Sequence, residues 1–199
     1  MSKNTRTRIL LTAVAALLLV VMAVGGTLAY LTDYTKNVEN TFIPTHVDID
    51  LNETHTGPFD MVPGVEYDKD PIVTVIKGSE ACWVFVEVTT AGDVSALECS
   101  VDSAWTRLSG TEGQIAGVYF IEQADLTSAT ANVNYPVLTG SKVKISEALK
   151  NSTMPTGNVS ISFTAYAIQK TGFEEAQDAW DEIGTDKESY GVGMIIAGT

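Results

Sequence analysis

The side chains able to do chemistry are few and thinly spread. His46 and His55 are the only imidazoles, separated by a stretch that carries Asp48, Asp50 and Glu53. Zinc needs ligands that converge from fixed offsets, most compactly as His-Glu-x-x-His on one helical turn, and the chain has no such motif. Asp48 and Asp50 lie two residues apart, so on an extended chain they point the same way. With a loop such as residues 68–70 they would offer calcium its preferred hard oxygens. The same spacing describes the wet face of an ordinary strand. The expectation is therefore no metal cofactor, with His46, Asp48, Asp50 and His55 as the residues that would hold zinc or calcium if either bound.

Nucleophilic chemistry has no anchor either. Cys82 and Cys99 have no histidine with an evident reason to lie beside them, and no Gly-x-Ser-x-Gly elbow or phosphate-cradling glycine loop occurs. An even cysteine count in an exported chain permits one disulfide, which requires Cys82 and Cys99 to lie close together, as neighbours in one sheet would; otherwise both are small buried hydrophobes. Trp83, Trp105 and Trp180 could be imagined as a sugar platform, but Trp83 and Trp180 fall in apolar patterns that belong in a core. No catalytic residue is expected.

The elements that position these groups read mainly as strands. His46, Asp48, Asp50 and Asn52 alternate with Val47, Ile49 and Leu51, the period of a half-buried strand. A turn-rich loop follows over residues 54–64. Residues 70–77 form a strand whose Pro71 must sit at its start, and residues 82–90 form a strongly apolar partner, a pair expected to make a hairpin. Further strands are expected over residues 96–101, 104–108, 115–122, 133–139, 141–146 and 158–169. One helix is expected, entered through Thr171-Gly172-Phe173-Glu174 as a capping box, carrying Phe173, Ala176, Trp180 and Ile183 on one face, and stopped by Gly184. The pattern predicts an all-β protein: a two-sheet β-sandwich of jelly-roll type with one short C-terminal helix.

The first 29 residues read as a signal peptide. Lys3, Arg6 and Arg8 precede an apolar run over residues 9–24, and Thr27-Leu28-Ala29 supplies the small residues of a cleavage site, with Thr27, Ala29 and Tyr30 flanking the cut. The alternative is retention as a membrane anchor, since the apolar length approaches a bilayer span. Either outcome places the remainder outside the cytoplasm. Removal leaves nine Lys and Arg against 25 Asp and Glu, which excludes nucleic acid as a natural partner. Residues 30–43 are polar and weakly apolar, and residues 44–199 make one domain.

Gly25-Gly26-Thr27-Leu28-Ala29-Tyr30-Leu31-Thr32-Asp33, then Asn40-Thr41-Phe42 and the strand at Val47-Asp48-Ile49-Asp50-Leu51, resemble the start of the TasA and camelysin proteins of Gram-positive bacteria. Val62-Pro63-Gly64, Trp83-Val84-Phe85-Val86, Val118-Tyr119-Phe120, and the run from Thr164-Ala165-Tyr166-Ala167-Ile168-Gln169 to Ala179-Trp180 are similar to the family's downstream pattern. The resemblance implies a jelly-roll domain, export through the signal peptidase SipW, and a place in the extracellular matrix of biofilms beside other matrix components. It also implies a homopolymeric fibre in which the N-terminal segment of one subunit adds a strand to the next. Tyr30, Tyr34, Val38 and Phe42 would be the apolar contacts of that segment, since all four fall on one side of an extended chain. The membrane would be met only through an uncleaved signal. Camelysin's description as a metalloprotease supplies the competing expectation, as does a surface protein that never polymerises.

Overall fold

The computed structural model describes residues 8, 11–12, 14–16, 46–55 and 57–194, with side chains as far as Gly191. The chain divides into two compact units, Met1–Ile43 and Pro44–Thr199. In the first, Arg8, Leu11, Thr12, Val14, Ala15 and Ala16 are helical. Among the described residues no helix is long and apolar enough to cross a membrane.

The second unit is all-β with a small helical cap. Its strands are β1 (Ile49–Asn52), β2 (Glu66–Asp68), β3 (Ile72–Val75), β4 (Cys82–Ala91), β5 (Leu97–Glu98), β6 (Thr106–Gly110), β7 (Gly117–Gln123), β8 (Val133–Pro136), β9 (Lys142–Ile145), β10 (Ser160–Gln169) and β11 (Gly191–Met194). Helices α1 (Ala176–Thr185) and α2 (Lys187–Tyr190) lie between β10 and β11. Three antiparallel sheets result, in the orders β1-β3-β8, β11-β10-β4-β7-β6 and β2-β9-β5. Single hydrogen bonds cross the breaks between the two three-stranded sheets: Lys69 N–H donates to Ser141 C=O, and Val137 N–H to Pro71 C=O.

The five-stranded sheet is apolar on both faces, which is why β4 and β10 read as nearly continuous apolar runs. On β4, Cys82, Val84, Val86 and Val88 join Leu51, Val73, Val75, Val137, Val143, Ile161 and Phe163 in a cluster drawn from all three sheets. Trp83 and Phe85, pointing the other way, meet Val118, Tyr166, Ile168 and the buried face of α1, Ala176, Ala179 and Ile183. Fully burying side chains of this size contributes roughly 1.5–3 kcal/mol each. Polar contacts pin the cap. Trp83 Nε1–H donates to Phe173 C=O at 3.2 Å, and Lys187 Nζ lies 2.8 and 2.9 Å from the two Glu87 oxygens, over the rings of Trp180 and Tyr166.

Several local expectations need correction. The segments expected to form a hairpin lie in different sheets: β3 pairs with β1 and β8, while β4 pairs with β10 and β7. Both are apolar enough to be central strands, so pattern alone could not choose their partners. The stretch over 96–101 pairs only at β5 and at a bridge from Val101 to Leu138, because a 3-10 turn at Val94–Ala96 uses its start. The helix begins at Ala176, not at the Thr171 box: Gly172 turns the chain with φ +102° and Phe173 N–H closes on Lys170 C=O. Gly184 lies inside α1, which ends one residue later. Strands β2 and β11 lie outside every stretch expected to be a strand.

Candidate functional site

Of the residues singled out in the sequence, Thr27, Ala29, Tyr30, Tyr34, Val38 and Phe42 lie outside the described residues. The remaining candidates separate into independent surroundings. His46 Nε2 is 3.7 Å from Asp48 Oδ2 on an exposed strand face, and Asp50 accepts from Asn52 Nδ2 on the same face. His55 belongs elsewhere, with its Nδ1 3.2 Å from Asp70 Oδ1. Among the described residues no three His, Cys, Asp or Glu side chains converge as metal ligands do. Cys82 and Cys99 are free thiols. Cys82 opens β4 in the five-stranded sheet and Cys99 follows β5 in another, so they are not neighbours in one sheet. Burial pushes the Cys82 thiol up to about 12 and the Cys99 thiol up to about 11, so both are poor nucleophiles at neutral pH.

The loop after β1 is organised by two acids. Asp70 loses some hydration, which raises its pKa. That is outweighed by the Thr54 hydroxyl, the Thr54 and His55 backbone N–H groups and the His55 ring, and its carboxyl falls to about 2. This is an Asx-like knot that fixes a turn rather than a proton-transfer site. Glu53, with a side chain wholly excluded from water, receives Lys69 Nζ at 2.9 Å. Desolvation raises the Glu53 pKa despite that partner. Lys69 was missed in the sequence because it stands between Asp68 and Asp70 and reads as wet. Its parity with the half-buried Tyr67 was the available signal, since residues 67 and 69 of an extended chain share a face.

Lys69 lines an apolar cleft of about 70 Å³ together with Phe59, Met61, Tyr67, Val143, Val159 and Ile161. Glu53 and the Phe163 ring, 5.7 Å away, occupy its ammonium. The cleft therefore offers apolar contact and no free charge. A larger groove, about 550 Å³, runs between the start of β1 and the end of β10; Val47, Ile49, Ile168, Phe173, Tyr190 and Glu182 line it. Buried Ser79 shapes the β1 side: its Oγ accepts the Asp48 N–H at 3.0 Å, replacing a rung of the backbone ladder.

Comparison with family models, with curated proteins and with solved structures found no match.

Proposed function

We propose that this chain is an exported structural protein that assembles with copies of itself outside the cell, by adding a strand of one subunit to a sheet of the next. The three sheets then act as two layers of a jelly-roll sandwich. β2 with β3, and β8 with β9, are each one strand interrupted by a kink, as the bonds from Lys69 to Ser141 and from Val137 to Pro71 support. The resemblance to TasA and camelysin proteins supports export through a SipW-type peptidase with a cut between Ala29 and Tyr30. It also supports a biofilm matrix setting and residues 30–43 as the segment that is lent.

The observation that carries this reading is the set of open sheet edges. Among the described residues β1, β6 and β11 each pair on one side only, and a strand edge of that kind is a template for another strand. Catalysis gains no comparable support from any cluster of groups among the described residues. Chain beginning at Tyr30 should form fibres visible by electron microscopy, and chain beginning at Thr45 should remain dispersed. Equal assembly by the two would overturn the proposal.

A further inference from the structure

Lys69 and Glu53 differ from every other lysine–carboxylate pair among the described residues in being dry. Their side chains are 7% and 0% exposed, whereas the others, such as Lys142 with Glu66, keep at least a quarter of each side chain in water. Lys69 Nζ lies 2.9 and 3.3 Å from the two Glu53 oxygens, which places the nitrogen opposite the carboxyl carbon. Rotation about the Cγ–Cδ bond, a soft torsion in glutamate, turns the face of the carboxyl toward it. The backbone holds both ends. Glu53 directly follows β1, whose last residue, Asn52, pairs with Ile72, and Lys69 N–H donates to Ser141 C=O. Their neighbours are tied as well: the Asp70 carboxylate accepts the N–H groups of Thr54 and His55 at 3.0 and 3.2 Å.

In water an amine and a carboxylic acid stay apart because each is charged and hydrated. Here both have lost that hydration, and their attraction offsets little more than the loss. Burial raises the Glu53 pKa, and after the opposing pull of Lys69 the nearby Asp70 carboxylate raises it further, which favours the neutral acid that an amine attacks. Well-oriented partners held in contact react as if at about 10⁵–10⁸ M. Beside them, the cleft of about 70 Å³ that Lys69 lines exceeds the roughly 10–15 Å³ a water molecule needs, and its apolar walls offer a departing water few partners.

We infer that Lys69 and Glu53 condense to an amide, a covalent staple between the end of β1 and the link from β2 to β3. The step balances with no oxidant and no cofactor. Lys69 Nζ passes one proton to a Glu53 oxygen, and the neutral amine then attacks Cδ. A second proton moves from the nitrogen to the departing hydroxyl, the Cδ–O bond breaks, and one water leaves. Two buried charges become one neutral group. The bond closes residues 54–68 into a loop and restricts the unfolded chain as a disulfide would. Cys82 and Cys99 are free thiols in different parts of the fold, so they provide no such link. The staple forms within one chain and stands whether or not copies assemble.

Intact mass and chemical cleavage of the full chain test this. Met61 is the only methionine between residues 53 and 69, so cyanogen bromide cuts the loop once. Chain kept folded for several days should be lighter than its sequence by one water. After cleavage in denaturant, the fragment ending at Met61 should stay joined to Val62–Met154. Full mass, with the two fragments separate, would overturn the staple. Lys69→Arg keeps the charge and the ion pair but replaces the amine by a guanidinium that does not condense. That variant should hold its full mass and fall apart at Met61. A missing water that persists in it would also overturn the inference, because the loss would then lie elsewhere. Should Lys69→Arg fail to fold, the parent chain decides alone: tandem mass spectrometry of its digest either finds Glu53 joined to Lys69 or finds both side chains free, which overturns the bond.

Discussion

Asp70 shows how a residue that looks functional in sequence is explained by local structure. Its carboxylate lies near a histidine and a threonine, as a catalytic acid's might, yet each partner serves to hold the turn after β1. Its pKa of about 2 lies below the ordinary value of 3.8, so the folded state favours the ionised form. The contribution to stability is full above the unfolded value and is lost as pH falls through the interval down to about 2. An Asp70→Asn variant should melt below the parent at pH 6, and the two should converge near pH 2. Thermal melts across that range check this, and a gap that persists unchanged to pH 2 would contradict it. The Glu53 and Lys69 pair belongs to the same scale. Ion pairs removed from water regain in mutual attraction little more than they lost in hydration, so this pair specifies geometry more than it stabilises.

At the scale of elements, the helical cap shows what the five-stranded sheet requires. Ile183 is fully buried on α1, and replacing such a side chain with alanine costs about 2–5 kcal/mol where the surroundings cannot collapse. Ile183→Ala should lower the urea midpoint accordingly and increase binding of an apolar dye to the bared sheet face. A change under about 1 kcal/mol would mean that the cap contributes little to the packing. Two of the buried cap residues were legible because Ala176 and Ile183 keep helical spacing, although buried Ala179 was not among the residues read on that face, and β10 was legible because Ile161, Phe163 and Ala165 alternate with Ser160, Ser162 and Thr164. β2 and β11 were not legible. β2 spans three residues, and β11 carries two glycines, which weaken strand propensity. Both are strands because a neighbour supplies the ladder. The partners of β3 and β4 were also beyond the pattern, since two central strands look alike from periodicity.

For the whole molecule, charge opposes the proposed assembly. Residues 30–199, the part proposed to assemble, carry nine Lys and Arg against 25 Asp and Glu, a formal net charge of −16, so copies brought together as proposed would repel one another. Salt shortens the range of that repulsion from about 30 Å at 0.01 M to about 8 Å at 0.15 M. Assembly followed by light scattering should therefore start sooner at the higher salt; a longer lag would mean that attractive ion pairs between subunits dominate. The candidate site was legible only in part. His46 and Asp48 mark the rim of the groove between β1 and β10, but its other lining residues come from β10 and the helical cap, and no sequence pattern joins them. The doubly covered sheet also imposes an order on synthesis. The helical cap that covers Trp83, Phe85 and Ile168 on the outer side comes after residue 172. A chain made or threaded N-terminus first therefore presents much of that apolar surface until residues 173–190 arrive to cover it.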